Sequence, residues 1–256
     1  MKVLTCNIRV AGANDGENNW EHRKEFCAEL IRSQKPDIIC FQEMQLNQFE
    51  YLSLAFPAFQ HYGMCDEPIG RDPRNAIFYL KDNYKSVSSG GYWLSETPHI
   101  PGTKSWNSNC VRIANWVVLE ELASGKEIRV VNTHLDHIGQ EARENQARII
   151  SEDALAYPEE YPQVLTGDMN CDTTNKTIDN FKVGGWVDTY GVVHGNEAPG
   201  FTFHKFEGSD HQPELDKMDW IFTKGDVKTI DAVILKDSND GRYPSDHYFV
   251  SAVIEL

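Results

Sequence analysis

The sequence predicts an α/β protein built on mixed β-sheet within one domain, residues 1–256, and three observations carry that prediction. Strand-like apolar runs alternate with helical periodicity along the whole chain. Two β-rich runs, 111–122 and 126–133, are joined by Ala123-Ser124-Gly125, a hairpin signal that makes part of the sheet antiparallel. The 256 residues show no internal repeat, low-complexity tract or linker, and this length can close one sizeable core.

The elements follow in order. MKVLTCNIRV is a strand that ends at Asn7, before the polar loop AGANDGENN. Residues 20–33 read as an amphipathic helix with Trp20, Cys27, Leu30 and Ile31 on one side. Lys35-Pro36-Asp37 stops it. In DIICFQE, four consecutive apolar residues signal a strand buried on both faces, ending at Glu43. A helix over 47–56 is stopped by Pro57, and AIFYL (76–80) is the next strand. The glycines of SSGGYWL have no helix behind them, so they read as a turn before a strand at 92–94, not as a phosphate cradle. Residues 95–109, rich in Pro, Gly, Ser and Asn, form a long loop of the kind that often carries function.

The second hairpin strand ends in His134, Asp136 and His137, and Ala142, Gln146, Ile149, Ile150 and Ala154 then mark a helix over 140–155. Pro158 and Pro162 lead into PQVLTGDMN, where Val164 and Leu165 form a short buried strand. Gly167 opens a turn there, and Asp168 and Asn170 stand just past the strand end. A mixed loop region follows, then strands at 218–223 and 227–235, and YPSDHYFVSAVIEL sets Asp246 and His247 directly before a terminal strand.

Composition narrows the partners. With 24 basic against 39 acidic residues the net charge is −15, and no run of Lys and Arg occurs anywhere. Proteins that grip a long polyanion carry a basic stripe, so a small anionic partner is favoured, although bound cations can reverse a local field. The six cysteines have no CxxC or zinc-ribbon spacing and read as buried free thiols. That usage, without a signal peptide or membrane span, points to a reducing, cytoplasmic setting. A chain trimmed of an export signal would read the same.

One pattern stands above composition. Asn7, Glu43, His134, Asp168, Asn170 and the pair Asp246-His247 all end or flank apolar strand runs, where open α/β sheets present their chemistry. Asp219 lies inside a strand between Met218 and Trp220, a place for a carboxylate only when it is paired. Each alone has a structural explanation, as a turn, a cap or an exposed strand residue. Together at strand ends they are hard to explain that way.

The stretches TCNIR, FQE, NTHLDH, LTGDMN, KMDWIF and YPSDHYFV resemble the ordered motifs of the endonuclease/exonuclease/phosphatase superfamily, the deoxyribonuclease I-like proteins. The resemblance runs from the first strand to the last. GDMN with SDHYFV is specific in combination, whereas FQE alone is weak. YWLSETP, CVRIANW and FTFHKF resemble a bacterial branch without an assigned substrate. Asp72-Pro73-Arg74 departs from the pattern where relatives carry an acidic residue, which puts a second metal ligand there in doubt.

The resemblance implies a four-layer αββα sandwich, two mixed β-sheets packed face to face with helices outside. It also implies a divalent cation, magnesium or alternatively manganese, and direct attack of water on a phosphate ester. Glu43 would be the principal metal ligand, with Asn7 and Asp246 beside it, since magnesium takes oxygen ligands. His247 would be general base or acid, oriented by Asp219, and Asp168 would position or deprotonate the water; either could take the proton. His134 and Asn170 would bond phosphoryl oxygens. Arg112 is a candidate phosphate clamp, because its planar fork matches that geometry, though an edge-strand ion pair would explain it equally. In HLDH, a catalytic His134 with a structural Asp136 reads better than a zinc site. Trp93, Trp106, Trp116 and Trp186 read as core before pocket, and His204 carries no assignment.

The expected activity is therefore a metal-dependent phosphoesterase, phosphodiesterase or phosphatase, on a small ester. A nuclease acting on DNA or RNA is the alternative, and a non-catalytic binding module is disfavoured because every named position keeps the residue type its role needs. Sequence does not indicate the oligomeric state.

Overall fold

The computed structural model describes every residue except Asn196, Ala198 and Pro199. In chain order the strands are β1 (Lys2–Asn7), β2 (Ile38–Gln42), β3 (Phe59–Tyr62), β4 (Ile77–Leu80), β5 (Tyr84–Trp93) and β6 (Ile113–Glu121). They continue with β7 (Glu127–His134), β8 (Gln163–Asp168), β9 (Val187–Asp188), β10 (Asp219–Lys224), β11 (Lys228–Leu235) and β12 (Phe249–Glu255). The helices are α1 (Trp20–Ser33), α2 (Leu46–Ala55), α3 (Gln140–Ala154), α4 (Lys176–Val183) and α5 (Thr189–His194). Among the described residues, no helix is long and apolar enough to cross a membrane.

Two six-stranded sheets form, in the orders β11-β12-β1-β2-β4-β3 and β5-β6-β7-β8-β10-β9. Each is mixed for the same reason: its central pair, β1–β2 or β7–β8, is parallel, while the outer pairings are antiparallel. Successive side chains on a strand face opposite ways, and the central strands are apolar on both faces. Val3, Ile38, Val130 and Val164 therefore meet in one core between the sheets. Their neighbours Leu4 and Ile39 enter a second core with Trp20, Leu30 and Leu52 from α1 and α2. Val131 and Leu165 enter a third with Ile150 and Phe181 from α3 and α4. Three cores separate four layers, the αββα sandwich expected.

The differences from expectation are local. Gly90 and Gly91 are not a turn: they sit inside the ten-residue β5, where added Cβ atoms would lie 2.6 Å from the Trp116 ring and 2.9 Å from Ala114 O. Here glycine marks close approach of a neighbouring strand and ring. Gly167 likewise does not open a turn, because β8 runs on through Asp168. Its φ of +154° and a Cβ position 2.2 Å from Thr133 O let β8 press against β7 where the two strands end. The loop region after Asn170 contains α4 and α5, capped by the side chains of Asn175 and Asp188, which accept from Thr177 N–H and Tyr190 N–H. The short, half-exposed edge strand β3 carries no alternation to betray it.

Candidate active site

Topology explains the strand-end pattern. The C-terminal ends of the parallel strands β1, β2, β7 and β8 reach the same edge of the sandwich, and β10 and β12, running antiparallel to them, begin there. Thus Asn7, Glu43, His134 and Asp168 arrive at the ends of strands, while Asp219, paired with Asp168 in register, and Asp246-His247 arrive at the starts. A cavity of about 620 Å³ opens on this edge, lined on its floor by Glu43, His134, Asp168, Asn170, Asp246 and His247.

The floor is one connected network. Asn7 Nδ2 donates to Asp168 Oδ2 at 2.9 Å and to Glu43 Oε1 at 3.2 Å. Glu43 Oε2 accepts from Val10 N–H at 3.0 Å, and Asn7 Oδ1 from Arg9 N–H at 3.0 Å. His247 Nδ1 bonds Asp219 Oδ2 at 2.8 Å, and its Nε2 lies 3.9 Å from Asp168 Oδ2. His134 Nε2 is 3.4 Å from that same oxygen. Asn170 Nδ2 donates to Leu135 O at 3.0 Å and meets His134 Nε2 at 2.8 Å. Both amide hydrogens are therefore engaged, so His134 Nε2 is the acceptor and its ring is neutral. Arg9, Glu43 and Asn170 hold φ of +54°, +63° and +50°. Left-handed backbone costs a non-glycine residue about 1–2 kcal/mol, and its recurrence here marks backbone held in place by the site.

The electrostatics divide the histidines. Burial holds the His134 imidazole well below its usual pKa, reinforced by Arg112 and His247. Burial pulls His247 the same way, yet the Asp219, Asp168 and Asp246 carboxylates outweigh it and push the ring up to about 10. Asp168 is pushed up to about 7 by burial and then by Asp219, against the pull of His247. Asp246 is raised by burial and by Glu43. Asp219 Oδ1 is buried without a hydrogen-bond partner.

Which residues fit a cation follows from donor chemistry. Asp168, Asp219 and His247 offer atoms within 4.8 Å of one another. His247, however, spends Nδ1 on Asp219, and the carboxylates around it favour its protonated form, which suits it to proton transfer. Glu43 and Asp246 present carboxylate oxygens, Asp246 raised by burial and by Glu43, while Asn7 turns Nδ2 to Glu43 and commits Oδ1 to Arg9 N–H, so it stands beside that pair as a support. That set suits a hard divalent cation.

The walls hold residues that sequence reasoning weighed lightly. Arg112 lines the cavity, touches His137 Nδ1 at 3.3 Å and has no carboxylate within 4.0 Å among the described residues. It is not an edge-strand ion pair. Arg74, in the departing 72–74 segment, also lines the cavity and lies 3.3 Å from Asp72 Oδ2; Asp72 Oδ1 in turn accepts from Leu46 N–H. Phe203 and Arg9 were missed as wall residues, although both lie in the stretches FTFHKF and TCNIR. Asp136 is structural, as expected: Oδ2 accepts from Ser108 Oγ, Asn109 N–H and Cys110 N–H, and Oδ1 from Ile138 and Gly139 N–H. Burial opposes its charge, but these donors bring it down to about 2. None of the four tryptophans lines the cavity. His204 does not reach it either; its N–H donates to Asp246 O at 2.8 Å and its ring stacks on Tyr248.

A two-sheet sandwich here gathers, at one strand edge, an acidic, histidine-bearing floor able to hold a cation and move a proton. Residues 4–247 match the model of the Endonuclease/Exonuclease/phosphatase family, and the chain belongs to that family of phosphoester-hydrolysing enzymes. A family member from Bacteroides vulgatus is 31% identical with a TM-score of 0.90, covering 100% of this chain and 98% of that one. A Bacteroides thetaiotaomicron mannosyl-6-phosphatase is 28% identical with a TM-score of 0.88, covering 100% of both chains. Mouse nocturnin is 24% identical over 211 residues, 71% of this chain and 46% of its own length, so the chain spans about half the length of the curated relatives it matches.

Proposed function

We propose that the protein is a divalent-cation-dependent hydrolase of a small phosphate ester that transfers the phosphoryl group directly to water. The observation that carries this reading is Asp168, a buried carboxylate held between Asn7, His134 and His247 and pushed up to about 7. A base with a pKa near neutrality is poised to take a proton from the attacking water. His247, pushed up to about 10, is the complementary acid: as imidazolium it donates toward phosphoryl or leaving oxygen while Asp219 fixes its ring. The sequence left the proton's destination open; these opposed environments favour Asp168.

In the displacement, the water oxygen forms a bond to phosphorus, the ester P–O bond breaks, and the water's proton goes to Asp168. Asn170 reaches a phosphoryl oxygen by releasing His134 Nε2, and His134 joins it only in the tautomer that carries a proton on Nε2. One such donor typically contributes on the order of 10²–10³ in rate. Arg112, without a carboxylate partner, clamps the incoming phosphate. Magnesium, or manganese in its stead, held by Glu43 and Asp246 with Asn7 beside them, would supply Lewis-acid polarisation of the phosphoryl group.

A small substrate is supported by the bounded cavity of about 620 Å³ and the net charge of −15. The named activity of the mannosyl-6-phosphatase relative makes phosphorylated sugars the class to try first. The family name also spans nucleases, and a nucleic-acid substrate is the second reading. The test is a screen of sugar phosphates, simple phosphodiesters and oligonucleotides with magnesium, manganese or excess EDTA. Small esters should turn over only with metal. Turnover confined to oligonucleotides, rising with their length and falling steeply with salt, would favour the nuclease.

A further inference from the structure

Arg23 lies on α1, away from the reacting atoms, and nothing in the proposed chemistry uses it. It is 3% exposed, and no carboxylate lies within 4.0 Å of it among the described residues. Burying a guanidinium without an ion-pair partner is costly unless its donors are satisfied. Here four of its five are, by backbone carbonyls from three separate segments. Nη1 donates to Ile8 O at 2.6 Å and to Pro244 O at 2.9 Å, Nη2 to Arg9 O at 2.9 Å and Nε to Asn18 O at 3.0 Å. The guanidinium carbon lies 5.1 Å from the centre of the Trp20 ring and 5.8 Å from that of Phe206.

The carbonyls it grips are placed with purpose. Ile8 and Arg9 directly follow Asn7, and the next N–H groups of that segment orient Asn7 and Glu43 at 3.0 Å each. Pro244 stands two residues before Asp246. One planar fork thus spans the segment that carries Asn7 and, through Val10 N–H, holds Glu43, and the segment from the other end of the sequence that carries Asp246. We infer that Arg23 is a positioning residue for that site, clamping the Asn7 and Asp246 segments at the separation a divalent cation requires. Its charge adds to this, since it faces Asp246 and Asp15 through the low-dielectric interior. Lysine replaces it poorly, because the guanidinium reaches the Asn18, Ile8, Arg9 and Pro244 oxygens from three nitrogens held in one plane, where an ammonium offers one.

The inference rests on Glu43, Asp246 and Asn7 as the cation-binding set, and its test keeps the two apart. Magnesium and manganese binding to metal-free protein is measured by calorimetry for the wild type, Arg23→Lys and Arg23→Gln, with folding checked by circular dichroism. The variants should bind about 10-fold to 100-fold more weakly, the range for residues that orient ligands, and their activity should recover at raised metal concentration. A wild type that binds no cation would overturn the site assignment itself. Wild-type binding with variant affinities within twofold would overturn only the role of Arg23, leaving it a stabilising residue that moves Tm alone. Should neither variant fold, the ¹⁵N signal of Arg23 Nε–H in the unmutated protein serves instead. It should shift on saturation with magnesium, and an unchanged signal would overturn the proposal.

Discussion

Asp219→Asn separates the electrostatic account of the site from a merely steric one. The substitution keeps size and one hydrogen-bonding oxygen but removes the charge 2.8 Å from His247 Nδ1. With its carboxylates the buried ring is pushed up to about 10, so at pH 7 only about one ring in 10³ is neutral. Without Asp219 the ring keeps the downward pull of burial, the force that holds His134 well below its usual value, against Asp168 and Asp246 alone, so its pKa should fall. If the ring falls to its ordinary value of about 6.5, about a quarter of the rings would be protonated at pH 7. Protonation alone then lowers a reaction needing imidazolium by about fourfold, and lost orientation takes the total to on the order of 10²–10⁴.

The pH profile carries the decisive signature. In the wild type, activity should rise as Asp168 ionises near 7 and fall as His247 loses its proton near 10, giving a bell between them. Bound cation moves the acid limb lower, because it favours the carboxylate. In Asp219→Asn both limbs should move to acid, His247 for want of its counter-charge and Asp168 for want of the repulsion that raised it. The stability sign follows. A histidine raised above its unfolded value stabilises the fold fully below about pH 6.5, and the contribution is lost as pH rises through about 10. Its ceiling is about 5 kcal/mol, so wild-type stability in urea should fall across that window and the variant's should not. An alkaline limb still near 10 in the variant, with activity within about threefold, would refute the reasoning.

Three further perturbations address the other parts. Glu43→Ala should lose on the order of 10³-fold or more of the magnesium-stimulated rate while keeping native circular dichroism; activity insensitive to this change and to EDTA would remove the cation from the mechanism. Arg112→Ala should raise KM for a phosphomonoester by about 10-fold to 100-fold with a smaller effect on kcat, read by steady-state kinetics, and unchanged kinetics would return Arg112 to a surface role. Asp136→Ala strands five donors and releases the 108–110 segment that leads into Arg112, so it should lower stability by about 3 kcal/mol and raise KM; chemical denaturation and kinetics measure both.

Much of the site was legible because its chemistry interrupts strands. A polar or ionisable residue at the end of a buried run is conspicuous, as at Asn7, Glu43, His134, Asp168 and His247, and Asp219 stands out by lying inside one. Their convergence was not legible from the pattern alone, since it depends on β10 and β12 running antiparallel so that their starts meet the other strands' ends. Glycines misled twice. Gly91 and Gly167 look like turn formers, but each removes a Cβ where a neighbouring strand's carbonyl oxygen presses close. The helices α4 and α5 were invisible because one- or two-turn helices carry too few periodic positions, and their caps look like loop residues. Arg23 was passed over for a related reason: its bonds are to backbone carbonyls from distant segments, which leave no mark in residue types.

The charge balance of the floor ties these pieces together. Glu43, Asp168, Asp219 and Asp246 bring four carboxylates to one edge, against the His247 imidazolium and an Arg9 that bonds Asp15 at 3.1 Å and reaches Asp246 Oδ2 only at 3.6 Å. A phosphate ester approaching that floor meets like charge in a partly desolvated cavity, where repulsion is stronger than in water. Protonating Asp168 relieves it but removes the base, so the site cannot serve binding and catalysis by that route at once. A divalent cation held by Glu43 and Asp246 would resolve the conflict, because it would neutralise both and leave Asp168 free to ionise. Arg112 at the mouth then completes the match to the incoming anion. On this argument cation and substrate are thermodynamically linked, each raising the other's affinity by the same factor, and the metal requirement belongs to substrate capture as much as to the displacement itself.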